Sequence, residues 1–305
     1  INEKSKSLIS LFVSALFFGS TFLIVKNLLI TFSPTFIVFL RYIIAGIVFG
    51  LIGGIPKKIA WKPGILMGFF LWLGYVTQTQ GLVTTSTINS GVVTGFYIVL
   101  TPFLSKFFNK TNLLRKNYIY SFLGFTGIVL ISINDLSQVF GNLFTLICAA
   151  GYAMHIVLVE RYVKNQNISQ LMFVQSLTGG ILCLPLISLS EFVFLPEYLF
   201  PVIFLGLVVN VGAFYLQLYG QKLIQASTSA LILSLEAIFA LLIGILVANE
   251  FLNLERDFNS PGIVNNNLNS YEVAKKRATE AQKHQHHPDH SCCHLKHFVL
   301  QLLVL

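Results

Sequence analysis

Apolar runs of roughly 20 residues, the length a helix needs to cross a bilayer, alternate with short polar breaks along most of the chain. They fall at 8–29, 35–55, 64–84, 88–108, 118–134, 141–160, 169–189, 198–221 and 227–249. Pro34, Pro56, Pro63, Asn109, Asp135, Gly141, Asn165, Pro196 and Ser227 punctuate them. In lipid every backbone polar group must be bonded internally, so the pattern predicts nine spanning helices.

The polar residues inside these runs follow helical spacing. Ser90, Thr94, Tyr97 and Thr101 share one face of the fourth run, and Asn210, Phe214, Gln217 and Gln221 one face of the eighth. Tyr152 and His155 are close on the sixth, and Tyr75 and Gln78 on the third. The ninth run carries one carboxylate, Glu236, deep among apolar residues. A charge at the centre of a spanning helix costs roughly 2.5–3.5 kcal/mol, so Glu236 is expected to face a cavity, a partner or water. The Ser and Thr positions are read as interhelical hydrogen-bond glue. His155 is expected to be a neutral, hydrogen-bonded histidine or a ligand contact. Arg41 reads as a helix-end anchor that snorkels to the interface. Gly19, Gly91 and Gly95 read as close-packing positions, and Pro102 as a bend in the fourth helix.

Composition agrees. Hydrophobic residues make up 55% of the 305-residue chain and charged residues 10%, against about 25% charged in soluble proteins. The net charge of +8 sits in loops rather than in one patch, which argues against nucleic acid. Lys4, Lys6, Lys57, Lys58, Lys62, Lys106, Lys110, Arg115, Lys116, Arg161, Lys164 and Lys222 all fall on one side of the nine-span arrangement. By the positive-inside rule that side, with the N-terminus, is cytoplasmic. No phosphate loop, catalytic triad or carboxylate pair is present, so the chain is not read as an enzyme, and no cofactor is implied.

Gln78–Gly81 with the run after it matches Gln217–Gly220 with its own run at a constant offset, which pairs Ser90 with Ser229 and Tyr97 with Glu236. With five spans in each half, the second copy would lie upside down, the plan of many secondary transporters.

Several short motifs carry a resemblance in order and spacing: Ala15-Leu-Phe-Phe-Gly-Ser-Thr-Phe22, Phe39-Leu-Arg-Tyr42, Asn89-Ser-Gly-Val-Val-Thr-Gly-Phe-Tyr-Ile-Val-Leu-Thr-Pro102, Tyr152-Ala-Met-His155 with Glu160-Arg161, and Ser229-Ala-Leu-Ile-Leu-Ser-Leu-Glu-Ala237 with Asn249-Glu250. Over about residues 8–252 the chain resembles EamA-type members of the drug/metabolite transporter superfamily. The resemblance implies an all-α membrane protein, a polytopic bundle of two inverted five-helix repeats, and export of small metabolites, often amino acids, from the inner membrane. Residues 8–134 would form the first repeat and 141–252 the second, with its tenth helix missing. Residues 253–305 would be a polar tail, frame-shifted or disordered. Its His284, His286, His287, His290, Cys292, Cys293, His294 and His297 are of metal-ligand type but irregularly spaced, and no metal site is assigned to them.

The expected substrate site lies between the repeats near mid-bilayer. Glu236, Tyr97, Gln78, Gln217 and His155 would line it, with Tyr75, Tyr152 and Phe214 as apolar or stacking walls. Partners are then a small-molecule substrate and the lipid bilayer. A cationic drug is the rival substrate, since aromatic faces and a carboxylate attract cations. A non-transporting scaffold or receptor is the alternative from another class.

Overall fold

A computed structural model describes residues 2–111, 138–188, 191, 192 and 196–248, with isolated positions at 119, 123 and 126. Ten helical elements organise these residues. They are α1 Glu3–Leu28, α2 Pro34–Gly53, α3 Lys58–Thr84, α4 Thr87–Thr94, α5 Tyr97–Asn109, α6 Val139–Tyr162, α7 Ile168–Cys183, α8 Pro196–Gln221, α9 Ala226–Leu233 and α10 Leu235–Ala248. Eight spans among the described residues are long and apolar enough to cross a membrane, α4–α5 forming one and α9–α10 another. The expected fifth span at 118–134 and the polar tail lie outside the described residues.

Local chemistry sets the helix ends. Asn2, Ser33, Ser86 and Asn167 are side-chain N-caps, accepting from the backbone N–H three residues on at 2.7–3.3 Å. Pro34 fills the first position of α2, where a missing N–H is harmless. Lys26 Nζ reaches from α1 to the end of α3 and donates to the carbonyls of Leu82 and Thr85 at 2.6 and 2.8 Å, two groups that a helix end leaves unbonded. One boundary differs from expectation: α3 starts at Lys58, ahead of Pro63 rather than after it.

The bundle is turned inside out relative to a soluble protein. Ile47, Leu51, Phe140 and Leu246 face outward, while Gln78, His155, Asn210, Gln217 and Glu236 are buried. This is the arrangement of a multi-pass membrane protein, whose outer surface meets lipid and whose polar groups find partners inside. Where two backbones meet, glycine is required. A Cβ at Gly19 would lie 2.5 Å from Phe239 Cβ and 2.7 Å from the Glu236 carbonyl, which locks α1 onto α10. Gly91 abuts Ala240 in the same way, so both glycines are packing positions.

The helix pairings exchange when the first four spans are swapped for the last four. α1 packs on α8 as α6 packs on α3; α1 packs on α9 and α10 as α6 packs on α4 and α5; α2 packs on α8 as α7 packs on α3. α2–α7 and the α4–α5 pair against α9–α10 map onto themselves. Both of the split spans tighten at equivalent positions. Around Gly95 and Phe96 the backbone bonds shift to i→i−3, as in Phe96 N→Val93 O (3.1 Å) and Ile98 N→Gly95 O (3.1 Å). Around Ser234 the same happens in Ala237 N→Ser234 O (3.1 Å). Pro102 lies after the first of these turns and leaves the Ile98 carbonyl without its helical donor. The second turn has no proline in α9 or α10, so the tightening belongs to the position rather than to proline.

Candidate functional site

A narrow cleft of about 30 Å³ lies at the centre of the bundle. All eight residues expected from the sequence line it: Glu236, Tyr97, Gln78, Gln217, His155, Tyr75, Tyr152 and Phe214. Six more join them: Phe18, Thr21, Phe22, Arg41, Ile156 and Leu233. The lining is built from matched positions. Phe18 corresponds to Tyr152, Thr21 to His155 and Phe22 to Ile156 at one constant spacing. Tyr75 corresponds to Phe214, Gln78 to Gln217 and Tyr97 to Glu236 at another. The counterparts of Arg41 and Leu233 are Gln175 and Thr94, which stand directly behind the wall and bond to it.

The tightened turns put Tyr97 and Glu236 where they are. Each follows its turn within two residues, in the first turn of α5 or α10. Both are buried, at 2% and 4% exposure, and their side chains are neighbours. The two groups face each other, but neither the Tyr97 hydroxyl nor Glu236 Oε1 reaches a partner at full hydrogen-bond geometry. Buried polar atoms almost always have a partner; among the described residues Tyr42 OH, Trp72 Nε1, Ser90 Oγ and Asn109 Oδ1 also lack one, and of these six only Tyr97 and Glu236 line the cleft.

The other polar groups are held by their neighbours. Tyr152 OH donates to Gln78 Oε1 at 3.1 Å, and Gln78 Nε2 donates to Thr94 Oγ1 at 3.2 Å. Gln217 Nε2 donates to Gln221 Oε1 at 3.1 Å, and Gln221 Nε2 to the Ile156 carbonyl at 2.9 Å. His155 Nε2 meets Gln175 Oε1 at 2.9 Å. With the amide placed so that its oxygen accepts, the proton sits on Nε2. The ring stands edge-on to Phe214, centroids 5.8 Å apart. Tyr75 meets Tyr152 and Phe214 in the same edge-on way at 6.0 and 5.9 Å. The expected Ser and Thr stripe divides: Thr101 bonds back to the Tyr97 carbonyl at 2.6 Å, and of that face only Tyr97 reaches the cleft.

Arg41 corrects the sequence reading. It is no snorkelling anchor: it lies 2% exposed inside the bundle and lines the cleft. α2 begins at Pro34, which puts Arg41 about two turns below the helix end. The spacing that pairs Gln78 with Gln217, extended to the first helices with its own offset, is the signal that would have found Thr21, through His155.

The sequence matches the EamA-like transporter family over residues 5–133 and 139–256. A protein from Archaeoglobus fulgidus named as an uncharacterized transporter is 30% identical over 242 residues, covering 78% of this chain and 77% of that protein. An S-adenosylmethionine uptake transporter of Rickettsia bellii is 23% identical over 195 residues, 61% of this chain and 64% of its own length. Its counterpart in Rickettsia conorii is 26% identical over 127 residues, 41% of this chain and 42% of that protein. A crystal structure 17% identical to this chain superposes with a TM-score of 0.61, covering 93% of this chain and 99% of that one, which shows a common fold.

Proposed function

Since the chain belongs to the EamA-like transporter family, we propose that it carries a small organic solute across the cell's inner membrane by alternating access, holding it in the Glu236 cleft. The observation that carries this reading is the lining itself. Matched positions of two halves enclose one central cleft and turn the Tyr97 hydroxyl and the Glu236 carboxyl toward each other inside it. Two inverted repeats, 8–134 and 141–252, account for the exchangeable helix pairings. The paired turns at Gly95 and Ser234 are then the hinges about which each half opens, since a short tightened stretch within a helix often marks a hinge.

Amino acids are the favoured solutes: Glu236 would take the ammonium, and the rings of Tyr75, Tyr152 and Phe214 the side chain. S-adenosylmethionine has the same amino-acid end, and relatives are named for its uptake. Export is the direction expected of the family. A cationic drug is a second reading, supported by a carboxylate among aromatic faces.

The test is counterflow in proteoliposomes holding the purified full chain, with the twenty amino acids, S-adenosylmethionine and the cation tetraphenylphosphonium. Saturable counterflow of at least one is expected, and flux of none would sink the transport reading. The basic loops support a cytoplasmic N-terminus. A cysteine at Lys164 should then react only with reagent on the cytoplasmic face and one at Glu197 only from outside; the reverse pattern would refute that orientation.

A further inference from the structure

We infer that Arg41 is the carboxylate-binding group of the cleft, set in place by Tyr75 and Asn210, and that together with Glu236 it selects solutes carrying both a carboxylate and an ammonium. The inference rests on the transport reading and names the substrate chemistry of the same cleft.

Arg41 is a buried cation whose protein partners are both neutral. Its Nε donates to Asn210 Oδ1 at 3.0 Å and its Nη2 to the Tyr75 hydroxyl at 2.6 Å. Tyr75 OH in turn donates to Asn210 Oδ1 at 2.8 Å, closing the ring of contacts. The guanidinium carbon lies 3.9 Å from the centre of the Tyr75 ring. These contacts fix the plane of the fork and use two of its five N–H donors. A fork held in this way suits a carboxylate, which it meets with two parallel hydrogen bonds.

Among the described residues the ion pair is Lys6 with Glu3, exposed at the start of α1. Arg41 and Glu236 line one cleft, yet among the described residues neither pairs with the other nor with a third charge. Removing one partner of a buried ion pair is strongly destabilising, because the remaining charge is left uncompensated. Here an arginine and a carboxyl face the same space, and neither has an ionic partner among the described residues. A zwitterionic ligand compensates both at once, whereas a simple cation or anion compensates one.

The backbone is adapted to the Arg41 network. Asn210 lies within Phe204–Ala213, a π-helical stretch of α8, whereas the matching stretch of α3 is ordinary α-helix. π-Helical turns occur frequently at functional sites. The counterpart of Arg41 in the second half, Gln175, is neutral and serves His155. The frame is therefore matched while the charge is not: the cation belongs to α2 and the carboxylate to α10, which gives the ligand one orientation.

The probes are L-phenylalanine, its decarboxylated amine phenethylamine and its deaminated acid 3-phenylpropionate. They are applied to the full chain by thermal shift in detergent and by inhibition of counterflow. Wild-type protein should bind phenylalanine at least tenfold tighter than either analogue. Arg41→Gln should lose at least tenfold for phenylalanine, leave phenethylamine unchanged and so erase the preference between them. Asn210→Ala keeps the guanidinium and should narrow the same preference by loosening it, a ratio that a general loss of stability would not move. If Arg41→Gln does not purify as a folded protein, the wild-type analogue series and Asn210→Ala decide. Equal binding of phenylalanine and phenethylamine by wild type overturns the proposal, as does an unchanged preference in folded Arg41→Gln. Transport of tetraphenylphosphonium with no response to any amino acid or S-adenosylmethionine overturns it too, but leaves the transport reading standing. Absence of flux for every solute strikes the transport reading itself.

Discussion

Glu236→Gln should weaken binding of amine-bearing solutes about ten- to a hundredfold at neutral pH. Hydrogen bonds to charged groups contribute about 1.5–3 kcal/mol, and each 1.4 kcal/mol is a factor of ten in affinity. The amide keeps the shape of the carboxyl and its place beside Tyr97, so the change isolates charge and titration. Two roles separate in a pH series of counterflow and net uptake. If Glu236 contacts the ammonium, wild-type affinity falls as acid protonates the carboxylate, and the Gln variant is weak at every pH. If it couples transport to protons, the variant still exchanges solute but loses the pH dependence of net uptake. Wild-type affinity and flux in the variant throughout the series would remove both roles and leave Glu236 as a structural acid.

The second large effect is on stability. Gly151→Val should lower the melting temperature of the detergent-purified protein sharply or prevent its recovery. A Cβ at Gly151 would lie 3.0 Å from the Phe70 carbonyl oxygen, 3.1 Å from Gly74 N and 3.2 Å from Gly74 Cα. All three are backbone atoms of α3, so no side chain can swing aside, and α3 and α6 must separate. Overpacking costs about 1–3 kcal/mol or more, against a total stability of about 5–15 kcal/mol for a typical domain. α6 also carries Tyr152 and His155, so surviving protein should bind solute poorly. Gly46→Ala is the control: its nearest neighbour would be Ser176 Cβ at 3.8 Å, ordinary contact. Unchanged melting and binding in Gly151→Val would show that α3 and α6 can move apart at little cost.

The spans were legible because apolar length alone specifies a helix in lipid, and the cleft because a carboxylate, amides and a histidine at helical spacing must point inward together. Arg41 was not legible. A single arginine beside a helix end reads the same whether it snorkels or folds inward, and the choice depends on Asn210 and Tyr75, distant in sequence. Phe18, Phe22, Ile156 and Leu233 were missed because an apolar wall residue carries no mark that separates it from one facing lipid. The turn at Ser234 was hidden too: serine within an apolar run is usually glue, and the visible breaker, Pro102, sits in only one of the two split spans.

The two charges in the cleft also bear on how fast an unloaded protein can reverse. To pass from one face of the membrane to the other, an empty cleft must close over the Arg41 cation, and over Glu236 whenever it is ionised, with no ligand charge to compensate them, a state disfavoured by several kcal/mol for a buried ion. A bound zwitterion removes that barrier and the empty return keeps it. The protein should then behave as an exchanger: solute on the far side accelerates release from the near side, and one-way leakage down a gradient is slow.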